Sequence, residues 1–108
     1  MAGITTHVLD TAAGRPAAGI PLTLEFRNDN AIITLVEATT DDDGRALLSD
    51  GSTLTEGTYR IRFDTGAYHG DAAFFPEVTI EFRVVDVDDH HHLPLLLSPF
   101  GYSTYRGS

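Results

Sequence analysis

Cysteine is absent from this chain of 108 residues. That excludes a disulfide framework, thiolate metal sites and a cysteine nucleophile, and leaves the redox compartment open. Basic residues are scarce: 7 Lys and Arg stand against 16 Asp and Glu, a formal net charge of -9. Such a chain repels phosphate backbones and anionic membranes over roughly a Debye length, so neither nucleic acid nor membrane is expected as a partner. No run approaches the roughly 18 apolar residues that span a bilayer, and the start MAGITTHVLD has no positively charged segment leading into an apolar one. A soluble cytoplasmic protein is the expectation. Helical periodicity is nearly absent, as are repeats, low-complexity segments and linkers. Residues 1–108 are expected to form a single domain, long enough to bury roughly 60–70% of the unfolded surface.

What is present is alternation with a period of two, rich in β-branched and aromatic residues, the signature of half-buried strands. Candidate strands cover 4–10, 20–27, 31–40, 57–65, 77–85, 90–98 and 101–106, with a short one at 45–48. Turn-forming clusters such as AAGRPAAG, NDN, DDDG and SPFG separate them. The stretch 65–76 breaks the alternation and predicts one short helix before Pro76. Seven or eight strands at this spacing read as an all-β sandwich. Tyr59, Ile61 and Phe63, with Val78, Ile80, Phe82 and Val84, fall on the core side of their strands.

The segment DDHHHLPLLLSPFGYSTYRGS carries three consecutive histidines. In a strand from 90 to 98, His90 and His92 share a face with Pro94 and Leu96, and His91 shares the other with Leu93, Leu95 and Leu97. A strand apolar on both faces needs cover on both, which predicts an oligomer. Adjacent histidines diverge in a strand, so a metal site is poorly supported; His90 and His91 read as solvated strand-end residues. His92, deeper in the strand, is harder to dismiss. The DDDG at 41–44 lacks the ligand spacing of a calcium loop and reads as a turn. No nucleophile elbow is present, which leaves water as the nucleophile.

Three stretches, THVLDTAAGRPAAGI, TTDDDGRA and LPLLLSPFGYSTYRGS, closely resemble the 5-hydroxyisourate hydrolases, enzymatic relatives of the hormone carrier transthyretin. The resemblance runs from about residue 4 to the last residue, and the terminal YRGS is its most specific mark. It implies a transthyretin-like (prealbumin-like) β-sandwich of two four-stranded sheets with one short helix. It also implies a homotetramer, a dimer of dimers with sites in the channel at the dimer–dimer interface. The site residues it implies are His7 in THVLD, Arg45 after the turn glycine, and His92 before the LPLLLS run. Tyr105 of the terminal tetrapeptide joins them as a catalytic, positioning and substrate-binding group and Ser108 as a substrate-binding one, with Arg106 ranked lower. Strand parity places Ser103 and Tyr105 on one face, and lets faces carrying His7, His92 and Tyr105 line one surface. The middle histidine of the run, His91, is local variation relative to the family.

The implied reaction opens the cyclic amide of 5-hydroxyisourate, a small purine-derived substrate of urate degradation, to give 2-oxo-4-hydroxy-4-carboxy-5-ureidoimidazoline, with no metal or organic cofactor. Amide hydrolysis needs a base for water, a cation at the oxyanion and a proton for the leaving nitrogen, which two histidines and an arginine can supply. The rival expectation is a transthyretin-like carrier that binds a small ligand without reacting, distinguished by the absence of that polar set.

Overall fold

Alternation along the chain is converted into two stacked sheets in the computed structural model, which describes residues 2–108. Among the described residues nine strands appear: β1 (Gly3–Asp10), β2 (Arg15–Pro16), β3 (Pro21–Asn28), β4 (Ala31–Thr39), β5 (Arg45–Ser49), β6 (Gly57–Phe63), β7 (Val78–Val84), β8 (His90–Ser98) and β9 (Gly101–Thr104). One sheet runs β4-β3-β6-β7, antiparallel throughout. The other runs β1-β8-β9, with β5 and the two-residue β2 sharing the free edge of β1. The second sheet therefore counts five strands rather than four, because β2 occupies the stretch of that edge beside Leu9 and Asp10 that β5 leaves free.

Strand β1 and strand β8 pair in parallel, Thr5 beside His92 and His7 beside Pro94. Strand β5 pairs antiparallel on the other side, His7 opposite Arg45. A register shift opposite the Ile4–Thr5 step marks a bulge in this pairing. Segments far apart in sequence thus meet across three adjacent strands.

The core lies between the sheets. Ile4 and Val8 of β1, Ile61 and Phe63 of β6, and Leu95 of β8 are fully enclosed. Each such side chain contributes about 1.5–3 kcal/mol relative to exposure. The helix α1 (Thr65–His69) and a 3₁₀ turn (Gly70–Ala72) follow β6. The Asp64 carboxylate accepts from Ala67 N–H at 3.0 Å to start the helix, and Gly66 N–H donates to Pro76 O at 2.8 Å. Among the described residues, no helix is long and apolar enough to cross a membrane.

The turn before β5 is set by Gly44, whose φ of 75° lies in the left-handed region. A Cβ there would collide with Val8 O and sit 3.1 Å from Pro16 Cβ. Gly44→Ala is expected to destabilise the fold by about 1–3 kcal/mol, read as a lower urea midpoint at unchanged slope.

Candidate functional site

The outer face of the β1-β8-β5 region carries the polar residues that the alternation turns away from the core. Thr5 and His7 are half-buried between the enclosed Ile4, Thr6 and Val8. His90 and His92 are likewise half-buried, while His91 and Leu93 point inward. Beside them lies a groove of about 590 Å³, lined by Thr5, Arg45, Leu47, His90, His92 and Ser108, among others.

Arg45 reaches this groove because the preceding turn is fixed by Asp41. One Asp41 carboxylate oxygen accepts from both Asp43 N–H and Arg45 N–H at 2.9 Å, and Asp41 N–H donates to Arg45 O at 2.9 Å. Asp41 also lines the groove, but that carboxylate oxygen is taken up by the backbone. Among the described residues the Arg45 guanidinium enters no ion pair. On an acidic protein, this groove therefore presents an uncommitted cation.

His92 is held from two sides. Thr5 Oγ1 lies 2.8 Å from its Nδ1 and 2.9 Å from Nε2 of His90. On the other side Gly107 packs against the ring: a Cβ at that glycine would stand 2.6 Å from His92 Cδ2 and 3.1 Å from Pro94 Cγ. Gly107 N–H also donates to His92 O at 2.8 Å. Burial of the ring, then the nearby His90, Arg45 and His7, hold the His92 pKa below the ordinary imidazole value. The result is a neutral imidazole near neutral pH beside a guanidinium. Gly107→Ala is expected to push the ring off Thr5 and so to shift the His92 imidazole resonances in an NMR spectrum that otherwise keeps its dispersion.

The sequence-derived residues divide between two places. Arg45, His92 and Ser108 line the groove, and His7 stands beside it, opposite Arg45 in the ladder. Tyr105, 59% exposed, lines instead a second crevice of about 230 Å³ with Ile80, Phe82 and His91; His92 borders both. Tyr105 thus shares a crevice with His92 but does not line the groove, and the backbone gives a local reason. The β8–β9 register sets Tyr105 opposite Pro94, which has no N–H to donate, and β9 ends at Thr104. The chain returns to β8 only at the Gly107–His92 bridge. Arg106 reaches away to Asp89 at 3.7 Å.

Two neighbours of His92 differ from their sequence reading. His91 is not a solvated strand-end residue: it is 5% exposed on the core side, because the strand begins at His90 and parity applies from there. His90 bonds Thr5 and lines the groove, and the parity that pairs it with His92 was the available signal. Thr5 and Gly107 had no signal of their own, since a threonine in a strand and a glycine near a terminus are ordinary. Among the described residues, no three His, Cys, Asp or Glu side chains converge in a way that would hold a metal ion.

Comparison with known proteins gives the same family by three routes. The family profile described as Transthyretin, HIUase/Transthyretin family, matches residues 4–107. The 5-hydroxyisourate hydrolase of Caulobacter vibrioides is 45% identical over 115 residues that span 100% of both chains. The solved structure of Klebsiella pneumoniae 5-hydroxyisourate hydrolase superposes with a TM-score of 0.84 at 36% identity, covering 98% of this chain and 99% of that one. Sea bream transthyretin in complex with thyroxine superposes with a TM-score of 0.89 at 28% identity, covering 97% of this chain and 94% of that one. An enzyme and a carrier fit the backbone about equally well, so side chains must separate the two activities.

Proposed function

The chain belongs to the HIUase/Transthyretin family, and on that footing we propose that it is a 5-hydroxyisourate hydrolase, opening the cyclic amide of its substrate with water. The observation that carries this reading is the groove itself. A guanidinium with no ion-pair partner among the described residues and an imidazole whose pKa is held low line one open space, with a second imidazole, His7, beside them. A carrier that binds a small aromatic ligand without reacting has no need of a base beside the cation.

The chemistry follows from the positions. In the neutral form His92 has a basic nitrogen with which to take a proton from water, and we assign water activation to His92 and His7 jointly. The water oxygen attacks the amide carbonyl carbon, the C–N bond breaks, and the departing nitrogen takes up the proton that the histidines removed from water. Arg45 binds the anionic substrate and stabilises the oxyanion that forms at the attacked carbonyl, through two parallel donors. Ser108, at the groove, contributes its hydroxyl to substrate binding. Tyr105, across His92 from the groove, takes a positioning role. The reaction as assigned uses no metal or organic cofactor.

We assign the working form as a homotetramer, a dimer of dimers with the groove facing the channel between dimers. The groove-lining Leu47 is 64% exposed in the single chain, as expected of a residue that a second copy would cover. A cytoplasmic location completes the reading.

The test generates 5-hydroxyisourate from urate in situ and follows its ultraviolet decay with and without protein and chelator. Accelerated decay that a chelator leaves unchanged supports the reading. Decay at the spontaneous rate overturns it in favour of a carrier, and loss to chelator with restoration by zinc favours a metal centre. Light scattering tests the assembly, against which a stable monomer would count.

A further inference from the structure

Thr5 lies at one point of the parallel β1–β8 ladder, its Cα paired with that of His92. Because His90 and His92 are two residues apart on one strand face, both rings hang over it. Their centroids are 6.1 Å apart, and Thr5 Oγ1 is within 2.9 Å of a nitrogen on each. A hydroxyl owns one proton and cannot donate to both. At least one histidine must therefore donate to Thr5, and the tautomers of the two rings are linked through it.

His92 uses Nδ1 in that contact, which leaves Nε2 as the nitrogen available to water. To accept a proton there the neutral ring must carry its own on Nδ1. That N–H then donates to Thr5 Oγ1, the Thr5 hydroxyl donates to His90 Nε2, and His90 keeps its proton on Nδ1.

We propose that Thr5 and His90 form a proton relay behind His92, with Thr5 as the positioning residue that selects the His92 tautomer and His90 as the group on which the proton from water comes to rest. The inference takes its direction from the hydrolase reading; the hydrogen-bonded bridge does not depend on it. In the relay step the water O–H bond breaks and a bond from His92 Nε2 to hydrogen forms. The His92 Nδ1–H bond breaks as that proton joins Thr5 Oγ1, and the original Thr5 proton moves to His90 Nε2. His92 ends neutral with its proton on Nε2, Thr5 is unchanged as a hydroxyl, and His90 becomes an imidazolium. Hydroxide equivalent goes to the carbonyl carbon. The positive charge has moved to the strand start, next to the acidic turn that contains Asp86, Asp88 and Asp89, and away from the His92 ring that Arg45 and His7 disfavour as a cation.

The experiment compares Thr5→Val, which keeps the branched shape and loses the hydroxyl, with Thr5→Ser, which keeps the hydroxyl, in the full chain. Thr5→Val is expected to lower kcat by about tenfold or more with KM within about twofold, and Thr5→Ser to restore most of it. His90→Asn should lower kcat by a similar factor, and the double variant should be no worse than the single ones, since both interrupt one path. In ¹⁵N NMR without substrate, wild-type His90 and His92 should both carry their proton on Nδ1, a pairing that a packing role for Thr5 does not require. Wild-type kcat in Thr5→Val, or effects of the two single variants that multiply, overturns the relay. So does a spectrum with His92 protonated on Nε2. If Thr5→Val fails to fold, His90→Asn and the wild-type spectrum decide. If the wild type does not hydrolyse 5-hydroxyisourate, the hydrolase reading fails and the spectrum alone decides the bridge.

Discussion

His92→Asn is expected to lower kcat for ring opening by about 10²–10⁴-fold, the range that a positioned acid–base group supplies. Asparagine keeps a hydrogen-bonding group on a short side chain, so contact with Thr5 can survive while the basic nitrogen is lost. It also lacks the ring carbon that packs on Gly107, so the C-terminal segment is not pushed aside. KM should change much less than kcat, because substrate charge is met by Arg45 rather than by a neutral imidazole. The pH profile gives an independent reading. The His92 pKa lies below its ordinary value, with burial as the largest cause and His90, Arg45 and His7 after it. A base is active when deprotonated, so wild-type kcat should hold down through about pH 6.5 and fall only at lower pH. The same shift makes stability rise with pH across the interval between the lowered pKa and the unfolded value, where the unfolded chain binds more protons, and the benefit is lost as pH falls through the folded pKa. In His92→Asn the acid limb of kcat should move or vanish. Ultraviolet decay assays from about pH 5 to 8 measure both effects, and a variant that retains a third of wild-type kcat removes His92 from the chemistry.

The histidine run illustrates what alternation makes legible. Period two located β3, β6, β7 and β8 within a residue or two and assigned the buried faces of β6 and β7, because inward positions must be apolar and Tyr59, Ile61, Phe63, Val78 and Val84 are. The same rule set His92 apart from His91. At His90 and His91 proximity to a strand terminus suggests solvent, but burial follows the facing layer, and His91, 5% exposed, borders a crevice with Ile80 and Phe82 of β7. Glu25 is a second case. It stands on the outward face of β3 yet is 4% exposed, because Arg60 and Arg62 of β6 fold over it at 3.1 and 3.3 Å. Long side chains from the neighbouring strand decide that, and no local pattern encodes it.

Pairing is the other limit. That His7 faces Arg45 and Thr5 faces His92 depends on β1 lying between β5 and β8, a choice made by the whole fold. Family resemblance supplied the partnership of His7, Arg45 and His92, whereas residue spacing alone left each of them, and Thr5, an ordinary strand or turn residue. Tyr105 marks the reverse situation: the alternation extends the last strand to residue 106, whereas β9 ends at Thr104, where Pro94 has no donor to continue the ladder. The aromatic ring accordingly belongs to a different crevice from the one holding Arg45.

Arg45→Lys is expected to reduce kcat/KM by about 10²–10³-fold, the scale of removing one oxyanion donor, even though the charge is kept. Lysine offers a point charge on a flexible stem, while the guanidinium presents paired donors in a plane that match a carbonyl oxygen and its neighbour. The Asp41 turn is unaffected, since it holds the Arg45 backbone rather than its side chain. The effect should therefore fall on substrate binding and turnover together, without loss of folded protein. Arg45→Gln separates the electrostatic contribution. Arg45 is one of the charges that disfavour protonated His92, so removing it should raise the His92 pKa and move the acid limb of the residual activity to higher pH. Arg45→Lys, with its charge retained, should leave that limb near its wild-type position. If both variants show the same pH profile as wild type, Arg45 and His92 do not share a field, and the groove would have to be read as a binding surface in which the guanidinium holds the ligand but takes no part in poising the base.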